Sequence, residues 1–283
     1  MRHAAGQRGI EVHPGSARRV AGGSINEAWR IDTSAGWWFV KFNTADRYDM
    51  FLAEAEGMAE LHEANAVRVP RVECSGRDQD RAFLALEFVE LSGGNNAAAT
   101  RLGGALAQLH NLQRDYFGWH RDNTIGSTPQ INTRCTDWVE FFRRHRLDFQ
   151  LQLAARRGAT RLAQSGARLS AQLERFFDGA TIRPALLHGD LWGGNWGACG
   201  DEPVLFDPAV FYGDAESDIA MTELFGGFPR EFYAAYRQQR PDQPGGAQRR
   251  ELYRLYHVLN HYNLFGGGYG AQAGGMIEAL TVA

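Results

Sequence analysis

His188-Gly189-Asp190 is followed, across four residues, by Asn195, and twelve positions later Phe206-Asp207-Pro208 adds a second carboxylate. A carboxylate can accept the proton of an attacking hydroxyl. An amide oxygen and another carboxylate are hard ligands for a divalent cation that bridges phosphates. His-x-Asp followed by Asn at this distance is the spacing of a phosphoryl-transfer loop, which must set a base beside the hydroxyl and an amide oxygen beside the phosphate-bound metal. Alone, the loop is moderately specific, an Asx-rich turn being its other reading, and an isolated Asp207-Pro208 is usually a turn. Together they point to Asp190 as catalytic base and to Asn195 and Asp207 as ligands of Mg2+, although the segment reads Asp-Pro-Ala where protein kinases have Asp-Phe-Gly.

Phosphates also need a fixed cation. Lys41 ends the aromatic, β-branched run Gly36-Trp37-Trp38-Phe39-Val40-Lys41-Phe42, which reads as a strand, and Glu54 lies thirteen residues later on a helical pattern. A strand lysine held by a helix glutamate is the phosphate-positioning pair of kinase chemistry. Glu56 competes for the glutamate role; Glu54 is preferred for its offset from Met58 and Leu61. Gly22-Gly23-Ser24-Ile25-Asn26 could bring backbone amides close to phosphate. It is neither Gly-x-Gly-x-x-Gly nor a Gly-x-x-x-x-Gly-Lys-Ser/Thr loop, and by itself it is a weak signal. Gly266-Gly267-Gly268-Tyr269-Gly270 reads as a helix break near the cleft.

The elements that must carry these residues follow from periodicity. A helix is predicted over 49–64 and a second apolar strand over 82–89, after Val69-Pro70 has closed the helical unit. Leu91-Ser92-Gly93-Gly94-Asn95-Asn96 is a flexible joint. Helices are then predicted over 100–110, 137–153, 167–177 and most of the chain after Asp218, with short strands leading into the His188 loop and Asp207. This order is α+β: residues 1–90 form a nucleotide-binding lobe, a hinge lies near 87–95, and residues 91–283 form the catalytic and acceptor-binding lobe. Adenine is expected against Glu87, Phe88 and Val89.

A chain of 283 residues can bury a large core, and 44% hydrophobic with 22% charged residues is ordinary for a globular protein. A net charge of -3 gives no reason to expect nucleic acid. The cluster Arg143-Arg144-His145-Arg146 reads as a solvated helix face. No apolar run approaches a bilayer span and no signal peptide is evident. Cys74, Cys135 and Cys199 fit neither a zinc knuckle nor a disulfide framework, so a cytoplasmic location is expected.

The chain resembles the fructosamine kinase (ketosamine 3-kinase) family. The resemblance is carried by Gly22 to Asn26, Phe51 to Met58, Phe117-Gly118-Trp119-His120, Asp122-Asn123-Thr124-Ile125-Gly126 and Asp137-Trp138 with Phe141-Phe142. It continues through His188 to Asn195 with Leu191-Trp192-Gly193-Gly194, Phe206-Asp207-Pro208, Tyr212-Gly213-Asp214 with Glu216, Glu223 to Phe228 and Leu259-Asn260-His261. It implies a protein-kinase-like fold of two lobes and transfer of the ATP γ-phosphate to the 3-hydroxyl of a ketosamine (ribulosamine, erythrulosamine or fructosamine adduct), free or protein-bound. The implied role is protein deglycation. Trp192 and His261 become candidates for contact with the acceptor. Where relatives have Asn-His-Phe-Gly, this chain has Asn263-Leu264-Phe265-Gly266, which bears on acceptor choice. The rival readings are an aminoglycoside, choline or sugar kinase of the same fold and, less favoured, a nucleotide-binding pseudokinase.

Overall fold

The computed structural model describes residues 1–20 and 25–282. Gly22, Gly23 and Ser24, proposed above to meet phosphate, lie outside the described residues.

The first part of the chain is built on one antiparallel sheet. Helix α1 (Arg2–Gly6) precedes strands β1 (Val12–Val20), β2 (Glu27–Thr33) and β3 (Gly36–Thr44). Helix α2 (Tyr48–Ala64) then leads to β4 (Val72–Arg77) and β5 (Arg81–Glu87), and the strand order is β1-β2-β3-β5-β4. The two-residue period of β3 decides which face each residue serves. Trp38 and Val40 pack with Ile31, Phe83 and α1's Ala5, whereas Phe39 lies with Phe51, Leu84 and Leu86 on the α2 side. Lys41 shares the face of Phe39, and register sets it between Ala28 and Leu84. Helix α2 stops at Asn65, whose left-handed backbone (φ 49°) lets its N–H reach the His62 carbonyl.

Residues 88–95 connect the sheet to α3 (Asn96–Leu109), which Asn95 caps by accepting the Ala98 N–H at 2.8 Å. The short hairpin β6 (Asn123–Ile125) and β7 (Thr128–Gln130) follows, then α4 (Trp138–Phe142), a π-helical turn at Arg143–Leu147, α5 (Asp148–Arg156) and α6 (Thr160–Ser170). Strands β8 (Ala185–Leu187), β9 (Trp196–Cys199), β10 (Glu202–Leu205) and β11 (Phe211–Gly213) frame the catalytic segments. Helices α7 (Glu216–Glu223), α8 (Arg230–Gln239), α9 (Gly246–Phe265) and α10 (Tyr269–Val282) complete the chain. One apolar core joins them, running from Met58 and Leu61 of α2 through Leu102, Trp138, Leu187 and Phe232 to Leu259 and Leu280. Among the described residues no helix is long and apolar enough to cross a membrane.

Three elements differ from the sequence expectation. Strand β1 carries Pro14 and Gly15 and a register shift between His13 and Arg18, which breaks the alternation that would have revealed it. The helix expected over 137–153 runs to Arg156 but widens at Arg143–Leu147, and the 167–177 helix is the end of α6 plus a 3-10 turn at Leu173–Phe177. Arg146 is also no solvated side chain. It is buried, donates to Ile131 O at 2.6 Å and Asn132 Oδ1 at 2.8 Å, and lies over the rings of Phe141 and Phe211. Burial brings it down to about 10, which leaves it a cation at neutral pH.

Helices α3 and α8 meet through Gly103, where a Cβ would stand 2.2 Å from the Phe232 carbonyl oxygen. Gly103→Ala must push the two helices apart. Thermal unfolding should show a loss of about 1–3 kcal/mol despite alanine's better helix propensity. His257 of α9 is 3% exposed, and burial pushes its imidazole down to about 3. The unfolded chain therefore takes up the proton first, near 6.5, and stability is lost as pH falls below that value. Between about pH 7.5 and about pH 5 this ring should remove about 2 kcal/mol. Urea unfolding of His257→Asn beside the parent chain should show a shallower pH slope.

Candidate active site

Lys41 is where the sheet, α2 and the helical part meet. Its Nζ lies 2.5 Å from Glu54 Oε1 and 2.5 Å from Asp207 Oδ1. The choice between Glu54 and Glu56 is settled by geometry. Two residues around the helix, Glu56 points away and accepts from His120 Nε2 at 2.7 Å and Arg121 Nη1 at 2.6 Å. Burial alone would weaken the Lys41 ammonium, but Asp207 and Glu54 outweigh it and hold Lys41 above the ordinary lysine value. Burial pushes the Glu54 carboxyl up, Lys41 opposes that, and Asp207 adds to it.

The His188–Asn195 loop is fixed from behind by a residue the sequence reading passed over. Asp218, fully buried in α7, accepts the backbone N–H of His188 and of Gly189, each at 2.8 Å, and His110 Nε2 at 3.1 Å. His110 Nδ1 meets the Tyr236 hydroxyl at 2.8 Å. Burial would raise the Asp218 carboxyl, yet these donors hold it below the usual range. His188 Nε2 lies 3.0 Å from the Phe206 carbonyl, which can only accept, so Nε2 carries the proton and Nδ1 receives the Asp190 N–H at 3.3 Å. Gly189 has φ 83°, and a Cβ there would strike the Ala209 carbonyl oxygen at 2.1 Å. Only glycine fits at that position. The signal for Asp218 was weak: one aspartate in a helix, thirty residues from the loop it holds.

Asp190 and Asn195 face the cleft from this loop. Asn195 Nδ2 donates to Asp190 O at 2.8 Å and Asp190 Oδ2 at 3.2 Å, and approaches Asp207 O at 3.4 Å. That orientation spends the amide nitrogen within the loop and leaves Oδ1 without a hydrogen-bond donor among the described residues. Asp207 adopts left-handed backbone at φ 57°, unusual for a residue other than glycine, and its side chain stays 44% exposed to the cleft. Burial pushes Asp190 up to about 7, Asp207 adds to the rise, and the Asn195 amide opposes it.

These residues line one cleft of about 940 Å3. At one end are Ala28, Phe39, Leu86, Phe88, Val89 and Leu91; at the other are Ile125, Gly126, Trp192, His261, Leu264 and Phe265. Glu87 also borders it, but its carboxylate is held by Arg68 Nη2 at 3.1 Å. The connection after β5 is tied down where Ser92 and Ala198 exchange backbone hydrogen bonds of 2.8 and 3.1 Å. His261 Nδ1 donates to the His257 carbonyl at 2.9 Å, which leaves Nε2 as an acceptor, and burial lowers this imidazole. Trp192 folds over Gly194, where any Cβ would stand 2.3 Å from its ring. Asn123 is structural: its Nδ2 donates to Val210 O, and its Oδ1 accepts from Gln130 and Asn132.

A second set of contacts joins α2 to the helical part. Glu60 accepts from the Tyr212 hydroxyl at 2.7 Å and from Trp119 Nε1, and Arg121 reaches Asp49 Oδ1 at 2.6 Å as well as Glu56. Trp119, His120 and Tyr212 stood out in the sequence only through family likeness; the structure gives them this positioning task.

Known proteins share both the sequence and the arrangement. The family model for fructosamine kinases matches residues 1–282. A "Probable ketoamine kinase" from Synechocystis is 44% identical over 263 residues, covering 92% of this chain and 88% of its own length. A chloroplastic "Protein-ribulosamine 3-kinase" from Oryza sativa subsp. indica is 43% identical over 264 residues, covering 92% of this chain and 77% of its own. A crystal structure from Haemophilus somnus, described as a "Putative fructosamine-3-kinase", superposes with a TM-score of 0.88 at 30% identity, covering 98% of this chain and 94% of its own. At 13% identity and a TM-score of 0.63, an aminoglycoside phosphotransferase shares the fold over 98% of this chain and 97% of its own, which makes the architecture protein-kinase-like and α+β. With the match running from end to end and two curated relatives above 40% identity, the chain belongs to the fructosamine kinase family.

Proposed function

We propose that this protein is an ATP-dependent kinase that phosphorylates the 3-hydroxyl of a ketosamine, with Asp190 as the base. The observation that carries the reading is the convergence of Asp190, Asn195, Asp207, Lys41 and Glu54 on one cleft of a chain in this family. The relative named for ribulosamine favours a ribulosamine acceptor over a fructosamine one. A phosphorylated adduct of this kind is unstable and eliminates to restore the amine, which suits a role in deglycation. Three free cysteines fit a reducing, cytoplasmic setting.

In this reading residues 1–90 form the nucleotide lobe, with a hinge near 87–95, and residues 91–283 form the acceptor lobe. Adenine lies between Ala28, Phe39 and Leu86 against the main chain of Glu87 to Val89. The triphosphate runs toward Lys41. Asn195 Oδ1 and the exposed oxygen of Asp207 fit Mg2+, which favours few protein ligands and keeps the rest for phosphate and water. When bound, the cation neutralises charge on the transferred phosphate. Lys41, clamped by Glu54, holds a phosphate oxygen. Asp190 orients the acceptor hydroxyl and takes its proton as the oxygen attacks the γ-phosphorus in line and the bond from that phosphorus to the β,γ-bridging oxygen breaks, releasing ADP.

Asp190→Asn should lower the rate of phosphate transfer about 10^2–10^4-fold while leaving ATP-analogue binding by calorimetry near that of the parent. Parent-like turnover would remove Asp190 as the base. Glu54→Gln should raise the KM for ATP at least about tenfold by releasing Lys41, whereas Glu56→Gln should change it little, because Glu56 serves only an exposed anchor. Steady-state kinetics with a ribulosamine and with a fructosamine, the phosphate mapped to O3 by NMR, tests the assignment of the acceptor.

A further inference from the structure

The end of the cleft beyond Asp190 is apolar and aromatic. Among the described Trp and Phe side chains only Trp37, Trp192, Phe225 and Phe265 are exposed; Trp192 and Phe265 line this end, and Phe225 stands at its rim against Trp192 and His261. Phe225 stands edge-on to Trp192, with ring centroids 6.3 Å apart, and 4.7 Å from His261; His261 in turn is 5.7 Å from Phe265. Leu264 closes the inner wall, close to where Gly126 and Ile25 face it. Phe225 is held in left-handed backbone at φ 56°, followed by Gly226 at 108° and Gly227 at 75°. Backbone strain is thus accepted in order to leave a ring 42% exposed, which core packing does not explain.

Building on the kinase reading above, we infer that this aromatic rim binds the substituent carried by the amine nitrogen of the ketosamine. We further infer that it favours adducts whose amine bears an apolar or long alkyl arm over those bearing a small charged group, with Phe225 and Leu264 as specificity determinants. The chemistry of the acceptor sets the distances. With O3 at Asp190, the amine nitrogen on C1 lies four bonds away, at most roughly 5 Å, and its substituent extends farther. Trp192 is two residues past Asp190, so the arm leaves the reacting centre across its ring. The secondary amine is protonated near neutrality, and an ammonium against aromatic faces is attracted by their quadrupoles. The alkyl arm then gains by covering Phe225, Phe265 and Leu264. A carboxylate in the same place would meet π-faces and the Leu264 methyl groups, and among the described residues lining this end none is Lys or Arg.

The test compares kcat/KM for the ribulose adducts of benzylamine and of glycine, in the parent enzyme and in Phe225→Ala and Leu264→Asn. The fraction of folded enzyme cancels in the ratio of the two constants, so a merely structural effect leaves that ratio unmoved. The parent should favour the benzylamine adduct at least about tenfold, and each variant should reduce the preference several-fold. A parent ratio near one, or a ratio unchanged in both variants, overturns the assignment while the kinase reading stands. Failure to phosphorylate either adduct overturns both.

Discussion

The ammonium of Lys41, shared between Glu54 and Asp207, is the contact on which the rest of the site depends. It joins a residue of β3, a residue of α2 and a residue that follows β10, three parts of the chain with no local reason to meet. Its side chain is 6% exposed, and a charge so far from water is tolerable only with partners. Two carboxylates compete for it, and only Glu54 is equally buried; Asp207 still opens to the cleft. A phosphate arriving between Lys41 and Asp207 can therefore take over part of the ammonium without exposing an unpaired charge elsewhere. In the proposed reading the triad is a nucleotide site assembled around a replaceable partner.

The polar network behind the site explains how such an arrangement survives in a molecule of ordinary stability. Asp218 fixes the backbone of the catalytic loop, His188 ties that loop to Phe206, and the Ala209 N–H returns to the His188 carbonyl at 2.8 Å. Asp190 and Asp207 are thereby held on two strands of chain that hydrogen-bond to each other, so neither carboxylate can move far without breaking buried bonds that would stay unsatisfied. Their mutual repulsion, added to burial, is what brings Asp190 into the range where it can exchange a proton near neutral pH.

What the sequence revealed follows the same division. Asp190, Asn195, Asp207 and Lys41 were legible because their chemistry demands particular residue types at short spacings within a strand or a loop. Strand β3 was legible because aromatic and β-branched residues cluster there, and β5 because Ala82 to Leu86 form an unbroken apolar run. Glu54 was legible only as one of two, since helical periodicity places Glu54 and Glu56 within the same turn and the choice depends on where β3 lies. Asp218, His110, Glu60 and Tyr212 were not legible as a network, because their partners are far away in sequence and each alone is an ordinary polar residue. Strand β1 was hidden by its bulge, and Arg146 by its company: an arginine among arginines reads as surface until its guanidinium is found over Phe141 and Phe211.

The two ends of the cleft are held by different forces, and that difference bears on how such an enzyme can change. Around Lys41 and along α2 the polar side chains are tied: Lys41 to two carboxylates, Glu56 and Asp49 to Arg121, Glu60 to Tyr212 and Trp119. Removing Lys41 strands the buried carboxylate of Glu54, and removing Tyr212 and Trp119 strands half-buried Glu60. At the acceptor end Trp192, Phe225, Leu264 and Phe265 contribute surface and shape, and apolar contacts tolerate exchange of size and outline far better than ion pairs tolerate loss of a partner. In the proposed reading, exchange at Leu264 is a change of the tolerated kind: it would leave Asp190 and the Lys41 triad untouched and alter only what the reacting hydroxyl is attached to. A cleft built this way can keep its phosphate chemistry constant while its acceptor end drifts toward whichever amine adducts the cell supplies.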